Sequence, residues 1–292
     1  MPADYERGYA RALQFLNLAP HGRDFYSVEF RKKLLAYFGE YRNHPRFAVW
    51  MADHLGDRVG HALGHVLPRV ETHAGAVEGK TVLEIGCGTG SSTVPLAWRG
   101  ANVIACDIHE PSLDVARQRV LEDGCAERVS FVQTDPLLET LDVPAVDLVF
   151  CYAVFEHMLP EERAACFEQM WQKLKPGGHL VIYETPNRFW PFDHHTTQLY
   201  FWSWLPPRLA LRYGKMRGKF PTDATLSTLY REGYGMSYQE LLTLLSGKSF
   251  AFVGVTGRER LFKRLASEAV MLFLRRPRWA LCRNLDCILR KR

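Results

Sequence analysis

Three adjacent residues, Asp193, His194 and His195, offer the side chains that a proton transfer needs. Histidine titrates near neutral pH, and a neighbouring carboxylate can orient the imidazole or support its charged form. Side chains of adjacent residues point opposite ways in an extended loop, so we expect only one of the two histidines to face a substrate. The alternative is that both histidines only hydrogen-bond the loop to its surroundings.

Metal binding is a second chemistry that these residue types can perform. His61 and His65 are four residues apart, which places two imidazoles on one face of a helix, and Asp193 to His195 adds three further ligand types. The pair His61 and His65 lies among apolar residues with amphipathic spacing, where such pairs are common on surfaces and interfaces. Neither set of ligands is complete, so we expect no metal site.

A second group of candidate residues lies in a glycine-dense segment, residues 81–90. Its first half is typical of a buried strand, and the hydroxyl residues that follow it can cap a helix. Gly86, Gly88 and Gly90 permit positive φ and leave backbone amides open to a ligand. A dinucleotide site would have its third glycine one residue later, so the spacing favours S-adenosylmethionine over NAD.

Three carboxylates stand at or near the ends of predicted strands. Glu84 precedes the first glycine by two residues. Asp107 follows the strand predicted over 102–106 and can accept hydrogen bonds from both hydroxyls of a ribose. Asp135 follows the strand predicted over 129–133, where it can meet the amino group of an adenine. Together they strengthen the prediction of an adenosine-type ligand.

In its order of motifs the chain resembles the class I S-adenosylmethionine-dependent methyltransferases. The segments that carry the resemblance are 81–90, 102–107, 130–135, 147–157 and 174–182. It covers residues 75–185 closely and the flanking residues hardly at all. The resemblance implies a Rossmann-like sheet and S-adenosyl-L-methionine as the cofactor. The residues predicted to bind this cofactor are Glu84, Gly86, Cys87, Gly88, Gly90, Asp107, Ile108, Asp135, Pro136 and Cys151.

Strands and helices alternate after the N-terminal region, which predicts an α/β fold with a mainly parallel sheet and helices on both faces. Residues 250–255 and 284–289 predict a final strand pair that includes an antiparallel last strand, as the resemblance also implies. We divide the chain into an N-terminal helical region or lid, residues 1–75, and a methyltransferase domain, residues 76–292. This domain contains an inserted cap at about 186–248.

The acceptor side of the site is predicted from the loop that follows the fifth strand. Arg188 can bind an anionic group there, and the aromatic-rich stretch 189–204, which includes Trp190, can line a pocket for a sugar ring, a phenol or an isoprenoid chain. An ion pair for the arginine and core packing for the aromatic residues are the structural alternatives. His157 follows the fourth strand in a Glu-His pair seen in many family members, and we predict that it also binds the acceptor.

These residues predict an enzyme that methylates a hydroxyl oxygen of a small-molecule, sugar or lipid-linked acceptor. Oxygen is favoured because the run from Asp193 to His195 offers a base. Two alternatives stay open. One is N- or C-methylation of a small molecule, in which the histidines only position the acceptor. The other is a protein that binds S-adenosylmethionine or a partner without catalysis.

Length and composition limit the class of protein. With 292 residues, of which 47% are hydrophobic, the chain can bury a full core. No uncharged apolar run approaches the ~18 residues that span a bilayer, and the N-terminus has no apolar signal core. Seven cysteines without a C-x-x-C pair indicate reduced thiols and predict a cytoplasmic protein.

The formal net charge of +5 is unevenly distributed. Residues 257–292 hold 11 Lys or Arg and 3 Asp or Glu, a local charge of +8. A basic amphipathic helix over 258–274 can make peripheral contact with an anionic membrane, although we prefer the interpretation of a solvated helix face. Aromatic and basic residues do not interleave, so a nucleic acid is not an expected partner. The sequence leaves the oligomeric state open.

Overall fold

The computed structural model describes residues 26–39, 47–255 and 282–292 of the chain. These residues divide into two compact units. The first comprises the described residues up to Asp135 together with Glu139–Phe150. The second comprises Pro136–Leu138 and the described residues from Cys151 onward.

The first unit holds the N-terminal helical region and the first strands. Its helices are α1 (Val28–Tyr37), α2 (Phe47–Ala52), α3 (Arg58–His61), α4 (Leu67–Ala74), α5 (Thr93–Trp98) and α6 (Glu110–Glu122). Two π-helical turns join α2 to α3 and α3 to α4, namely Asp53–Asp57 and Ala62–Val66. Its strands are β1 (Thr81–Ile85), β2 (Asn102–Asp107), β3 (Val129–Gln133) and β4 (Val146–Tyr152), whose last two residues belong to the second unit.

Parallel pairing in the first unit brings the predicted cofactor residues to one edge. β1 pairs with β2 and β2 pairs with β3, both in parallel. Val82 and Leu83 of β1 are fully buried, as expected for a parallel strand covered on both faces. Because parallel strands end at the same edge, the turn after β1 and Asp107 at the end of β2 lie side by side.

The second unit holds the remaining strands and helices. After a 3-10 turn at Phe155–His157 its elements are α7 (Pro160–Lys173), β5 (Leu174–Tyr183), a second 3-10 turn (Trp202–Trp204), α8 (Pro207–Met216), α9 (Leu226–Arg231), α10 (Tyr238–Leu244), β6 (Phe250–Val255) and β7 (Cys287–Lys291). β7 runs antiparallel to both β5 and β6.

Within the described ranges the seven strands form one mixed sheet in the order β3-β2-β1-β4-β5-β7-β6. This sheet confirms the predicted Rossmann-like α/β fold with an antiparallel last strand. The bounds of β3 and β6 coincide with those predicted from the sequence. The division into a lid, a methyltransferase domain and a cap stays a prediction.

The last strand begins at Cys287, three residues later than predicted. Asn284 forms only an isolated antiparallel bridge to Pro186, and the Leu285 amide donates to the carbonyl of Thr185 at 2.8 Å. These residues therefore pair with the chain beyond the end of β5, and regular pairing begins after them. The basic helix predicted over 258–274 lies outside the described residues.

One residue of the aromatic-rich segment 189–204, Trp202, packs into a local core of the second unit, whereas Phe189, Tyr200, Phe201 and Trp204 are exposed. Trp202 and Tyr234 are almost completely buried there, and the Trp202 Nε1 donates to the carbonyl of Ala210 at 2.8 Å. Gly214 of α8 permits this packing, because a Cβ at that position would lie 2.6 Å from a ring carbon of Phe220. Trp202 therefore packs into the core of this unit, and it also lines a cavity there.

No helix in the described ranges has the length and apolar character that a bilayer span requires. All seven cysteines lie in those ranges, and each is a buried free thiol.

Candidate active site

The glycine turn joins β1 to α5 with a backbone that its glycines make possible. Gly86, Gly88 and Gly90 have φ of 68°, 53° and 80°, values that side chains with a Cβ rarely adopt. A Cβ at Gly88 would meet no heavy atom within 4 Å, whereas one at Gly90 would lie 3.2 Å from Ala116 of α6. The turn is therefore open at Gly88 and tightly packed at Gly90.

Asp107 holds the open part of the turn. One carboxylate oxygen accepts a hydrogen bond from the Gly88 amide at 2.8 Å, and the other accepts one from the His109 amide at 2.9 Å. Each oxygen has a second lone pair with which to accept a hydrogen bond from a ribose hydroxyl. The neighbouring Ile108 is 48% exposed, an uncommon level for a large apolar residue beside such a turn. This pairing of carboxylate and apolar surface suits an adenosine.

Glu84 has a structural environment that the sequence did not reveal. Its carboxylate is buried and accepts hydrogen bonds from the hydroxyls of Ser92 and Thr93, the latter at 2.6 Å. Ser92 occupies the N-cap position of α5 but makes no side-chain capping bond, because its hydroxyl donates to Glu84 instead. Burial raises the pKa of Glu84 to about 7, against the opposing effect of these two hydrogen bonds. Direct cofactor contact by Glu84 stays a prediction.

The other predicted cofactor residues lie in the following positions. Both oxygens of Asp135 accept hydrogen bonds from the next turn of the chain, including the Thr140 amide at 2.9 Å, and half-buried Pro136 follows it. Cys87 is buried in the glycine turn, and burial raises the pKa of its thiol, so it stays neutral. Cys151, near the end of β4, is buried with its sulfur 3.3 Å from that of Met170. Their contacts with a cofactor stay predictions.

A buried polar network beside the glycine turn was missed by the sequence analysis. Arg119 of α6 is completely buried, and its Nε donates to the carbonyl of Thr89 in the turn at 2.7 Å. Its other nitrogens donate to the Tyr26 hydroxyl, at 2.7 Å, and to the carbonyl of His54. The Nδ1 of His54 also lies 2.8 Å from the Thr89 hydroxyl. The network ties the N-terminal helical region to the glycine turn.

Asp193 organises a turn in the second unit. One carboxylate oxygen accepts from the amides of His195 and Thr196, at 3.0 and 3.2 Å, and the other from the amide and hydroxyl of Thr197, at 2.6 and 2.7 Å. Residues 194–197 therefore form a turn instead of the extended loop that we expected. The carboxylate accepts its hydrogen bonds mainly from backbone amides. Among the described residues no imidazole is observed to donate a hydrogen bond to it.

A cavity of about 240 Å³ in the second unit is lined by both predicted histidines, His194 and His195. The expectation that only one of them faces a substrate stays a prediction, although both residues line this cavity. Arg188, Trp190 and Arg283 also line the cavity. The predicted acceptor residues Arg188 and Trp190 are thus brought together with the candidate bases.

The two imidazoles have different neighbours. The His194 ring packs edge-on against Phe192, with 4.6 Å between the ring centroids. Partial burial, together with the positive charge of Arg283, lowers the pKa of His194 below its ordinary value, although Asp193 opposes this shift. The His195 ring lies 5.2 Å from that of His157.

Arg188 is largely occupied by the protein itself. Its Nε donates to the carbonyl of Ser203 at 3.0 Å, a second nitrogen lies 3.4 Å from the carbonyl of Leu205, and the guanidinium lies 4.8 Å from the ring centre of Tyr234. None of these partners is a carboxylate, although an ion pair was the structural alternative for this arginine. Because the guanidinium has five N–H donors, binding of an acceptor by Arg188 stays a prediction.

Comparisons with known proteins agree with the architecture of the site. A family model described as a methyltransferase domain matches residues 82–178, which include the glycine turn and Asp107. This match confirms that residues 82–178 resemble the class I S-adenosylmethionine-dependent methyltransferases. The N-terminal residues and the segment with the cavity lie outside the matched part of the chain.

Relatives of the chain include the ubiquinone biosynthesis O-methyltransferase of Acinetobacter baylyi, 35% identical over 121 residues, or 41% of this chain and 49% of that protein. The protein of the same name from Cronobacter sakazakii is 37% identical over 41% of this chain and 47% of its own length. The chain thus spans about half the length of the curated relatives it matches. The structure of magnesium protoporphyrin IX methyltransferase from Synechocystis PCC 6803, with bound SAH, shares the fold, with a TM-score of 0.52, 19% identity and coverage of 92% of this chain and 98% of that one.

The glycine turn gives a first testable prediction. Gly88→Ala should weaken S-adenosylmethionine binding at least tenfold, because the new methyl group fills the open space beside the amides, while positive φ costs about 1–2 kcal/mol of stability. Gly90→Ala should lose about 1–3 kcal/mol more, because its Cβ also overpacks against Ala116. Calorimetric titration and urea unfolding measure the two effects. Gly124→Ala, at φ 66° in open space, is the control for strain alone, and equal ligand affinity in Gly88→Ala and Gly124→Ala would contradict the prediction.

Proposed function

We propose that the chain binds S-adenosylmethionine at the glycine turn and transfers its methyl group to a hydroxyl oxygen of a small acceptor. The observation that carries this proposal is the hydrogen bond between the Gly88 amide and Asp107, beside the exposed Ile108. These three residues present an open backbone, a carboxylate for the ribose and an apolar surface for the adenine base of one adenosine. The matched family model covers these same residues.

Oxygen as the acceptor atom is supported by two separate points. The curated relatives include several ubiquinone biosynthesis O-methyltransferases, whose names state that reaction type. The second unit also offers an imidazole to its cavity, and a neutral hydroxyl must lose a proton when it is methylated. Amine or carbon acceptors would have less use for such a base.

The cavity with the two histidines is the acceptor pocket that we propose. Its volume of about 240 Å³ suits a monocyclic molecule or one end of a longer chain. Trp190 offers an aromatic surface, and Arg188 and Arg283 add positive charge. The acceptor chemistry that fits best is a hydroxylated ring, and a carboxylate or phosphate on it would be favoured by the two arginines.

His194 is the base that we propose. Its lowered pKa keeps the imidazole neutral at pH 7, so it can accept the proton of an acceptor hydroxyl in the cavity. In the reaction the oxygen forms a bond to the methyl carbon, the carbon–sulfur bond breaks, and S-adenosylhomocysteine leaves as a neutral thioether. The hydroxyl proton passes to His194 and then to solvent.

The test combines product analysis with a pH profile. The full chain is incubated with labelled S-adenosylmethionine and a panel of phenols, sugars and lipid-linked glycans, and product mass and linkage identify the methylated atom. For the acceptor found, kcat/KM should rise with pH to a plateau, with the midpoint of the rise below 6.5, the ordinary pKa of histidine. His194→Ala should lower kcat by about 10²–10⁴ and abolish this rise.

His73→Ala is the matched control, since His73 is an exposed histidine on α4 outside the cavity. Wild-type turnover and an unchanged pH profile in His194→Ala would contradict the role of His194. The proposed function as a whole would be contradicted if the chain bound no S-adenosylmethionine, or if Asp107→Ala bound it as tightly as wild type does. Methylation at nitrogen or carbon would contradict the acceptor atom only.

A further inference from the structure

A carboxylate and two imidazoles from separate parts of the second unit come together in the structure. Glu156 and His157 end the 3-10 turn after β4, and His195 lies 38 residues further along the chain. One donor atom of each residue lies within 4.8 Å of the other two. Glu156 Oε1 is 3.9 Å from His157 Nε2, and the two imidazole rings are 5.2 Å apart. We call this group the Glu-His-His cluster.

Hydrogen bonds select the same tautomer in both imidazoles. His157 Nδ1 lies 2.7 Å from the carbonyl oxygen of Arg231, which only accepts, so Nδ1 carries the proton and Nε2 the lone pair. His195 Nδ1 lies 3.1 Å from the Thr196 hydroxyl, whose own proton is donated to a backbone carbonyl such as that of Gly233, at 2.8 Å. The hydroxyl oxygen therefore accepts a hydrogen bond from Nδ1 of His195, so this nitrogen carries the proton in His195 too. Both Nε2 atoms are electron-pair donors.

The surroundings hold the cluster in place. A Cβ at Gly233 would lie 2.5 Å from His195 Nδ1, so the bare backbone of this residue sets the position of the ring. Glu156 is completely buried, and a buried carboxylate is costly unless positive charge compensates it. Arg163 contributes positive charge nearby, but its Nη1 bonds to Glu240 at 3.2 Å. A cation bound at the cluster would add positive charge directly beside this carboxylate.

We propose that Glu156, His157 and His195 bind a divalent transition-metal ion of the zinc type. Two imidazoles and one glutamate are a known ligand set of zinc sites that keep a position open, and hydrogen-bond acceptors on the far ring nitrogens are the usual outer shell. Donor atoms on one tetrahedral Zn²⁺ lie roughly 3.3 Å apart, so the pair now at 3.9 Å needs only a small closure.

The open position gives this site a chemical use. It would take a water molecule or another oxygen ligand, beside a cavity that His195 also lines. The metal site itself does not rest on the proposed methyl transfer. Its identification was beyond the sequence analysis, which expected no metal, because the three ligands come together only when the chain folds.

The test is metal binding by the full chain without S-adenosylmethionine or acceptor. Chelator-treated protein is titrated with Zn²⁺ by calorimetry and with Co²⁺ by visible absorption, and both should report one ion per chain. Glu156→Gln, His157→Ala and His195→Ala should each weaken binding at least tenfold. His73→Ala and His61→Ala are matched controls that should bind as wild type, the second because His61 and His65 form another imidazole pair, with rings 5.3 Å apart.

A milder variant separates loss of metal binding from loss of the fold. Thr196→Val keeps the shape of the side chain but removes the acceptor for His195 Nδ1, so it should weaken Zn²⁺ binding about tenfold with an unchanged circular dichroism spectrum. The proposal is overturned if wild-type protein binds no stoichiometric Zn²⁺ or Co²⁺. It is also overturned if binding is lost in His61→Ala and kept in folded Glu156→Gln. Neither result bears on methyl transfer, which is measured separately.

Discussion

Arg119→Met should lower the free energy of unfolding by about 3–5 kcal/mol and weaken S-adenosylmethionine binding at the same time. The completely buried guanidinium donates to Thr89 in the glycine turn, to Tyr26 and to His54. Methionine fills most of the volume but leaves these three oxygen acceptors without their charged donor. The glycine turn and the N-terminal helical region lose a shared anchor, so stability and affinity should fall together.

Arg117→Met is the matched control on the same helix. Arg117 forms an exposed ion pair with Glu110 at 2.5 Å, with both side chains 40% or more exposed, and such pairs contribute less than about 1 kcal/mol. Urea unfolding and calorimetric titration of the two variants measure stability and affinity. A stability loss in Arg119→Met within 1 kcal/mol of that in Arg117→Met would contradict the anchoring role.

The fold was predictable because its signals are local. Apolar runs of strand length fixed the bounds of β3 and β6, and glycines marked the turn after β1. The start of β7 was predicted wrongly because Leu285 continues the apolar alternation of Cys287 and Leu289. Residues 284 and 285 pair instead with the chain beyond the end of β5. Pairing of distant segments is not encoded in a local pattern.

The site was predictable only in part, for the same reason. Asp107 stood at a strand end where its use could be inferred, but Glu84 turned out to be bonded to Ser92 and Thr93, whose distance from it depends on the fold of the turn. One signal for Arg119 was available. It follows the buried Ala116 by three residues, on the apolar face of a helix, where an arginine needs internal partners.

The network of Arg119 also explains how the N-terminal helical region reaches the glycine turn. The Tyr26 hydroxyl accepts from Arg119 and donates to Asp123 at 2.9 Å, and the Arg119 guanidinium lies 4.7 Å from the ring centre of Phe30. Burial lowers the pKa of His54 well below its ordinary value, with Arg58 and Arg119 adding to the shift, so the imidazole beside Thr89 stays neutral. One buried cation thus organises aromatic, imidazole and backbone groups around the turn.

Glu84→Gln should remove a large pH dependence of stability. Burial raises the pKa of Glu84 to about 7 in the folded protein, from an ordinary value of 4.5. Between these values the folded state holds a proton that the unfolded state has released, so stability is highest below pH 4.5 and falls as the pH rises to about 7. The loss amounts to roughly 3 kcal/mol for a carboxyl whose pKa moves this far. Glutamine has no such proton, so its contribution stays constant.

The measurement is the free energy of unfolding of both proteins at pH values from 4.5 to 8. Because each value is a difference in stability between the two proteins, the contributions of other titrating groups cancel. One such group is Asp57, whose pKa burial raises to about 6. Wild type minus Glu84→Gln should therefore decrease by roughly 3 kcal/mol across this range. A difference that stays flat, or that increases with pH, would show that the pKa of Glu84 is not raised in the folded protein. In that case the Ser92 and Thr93 hydroxyls would stabilise its charge more strongly than burial destabilises it.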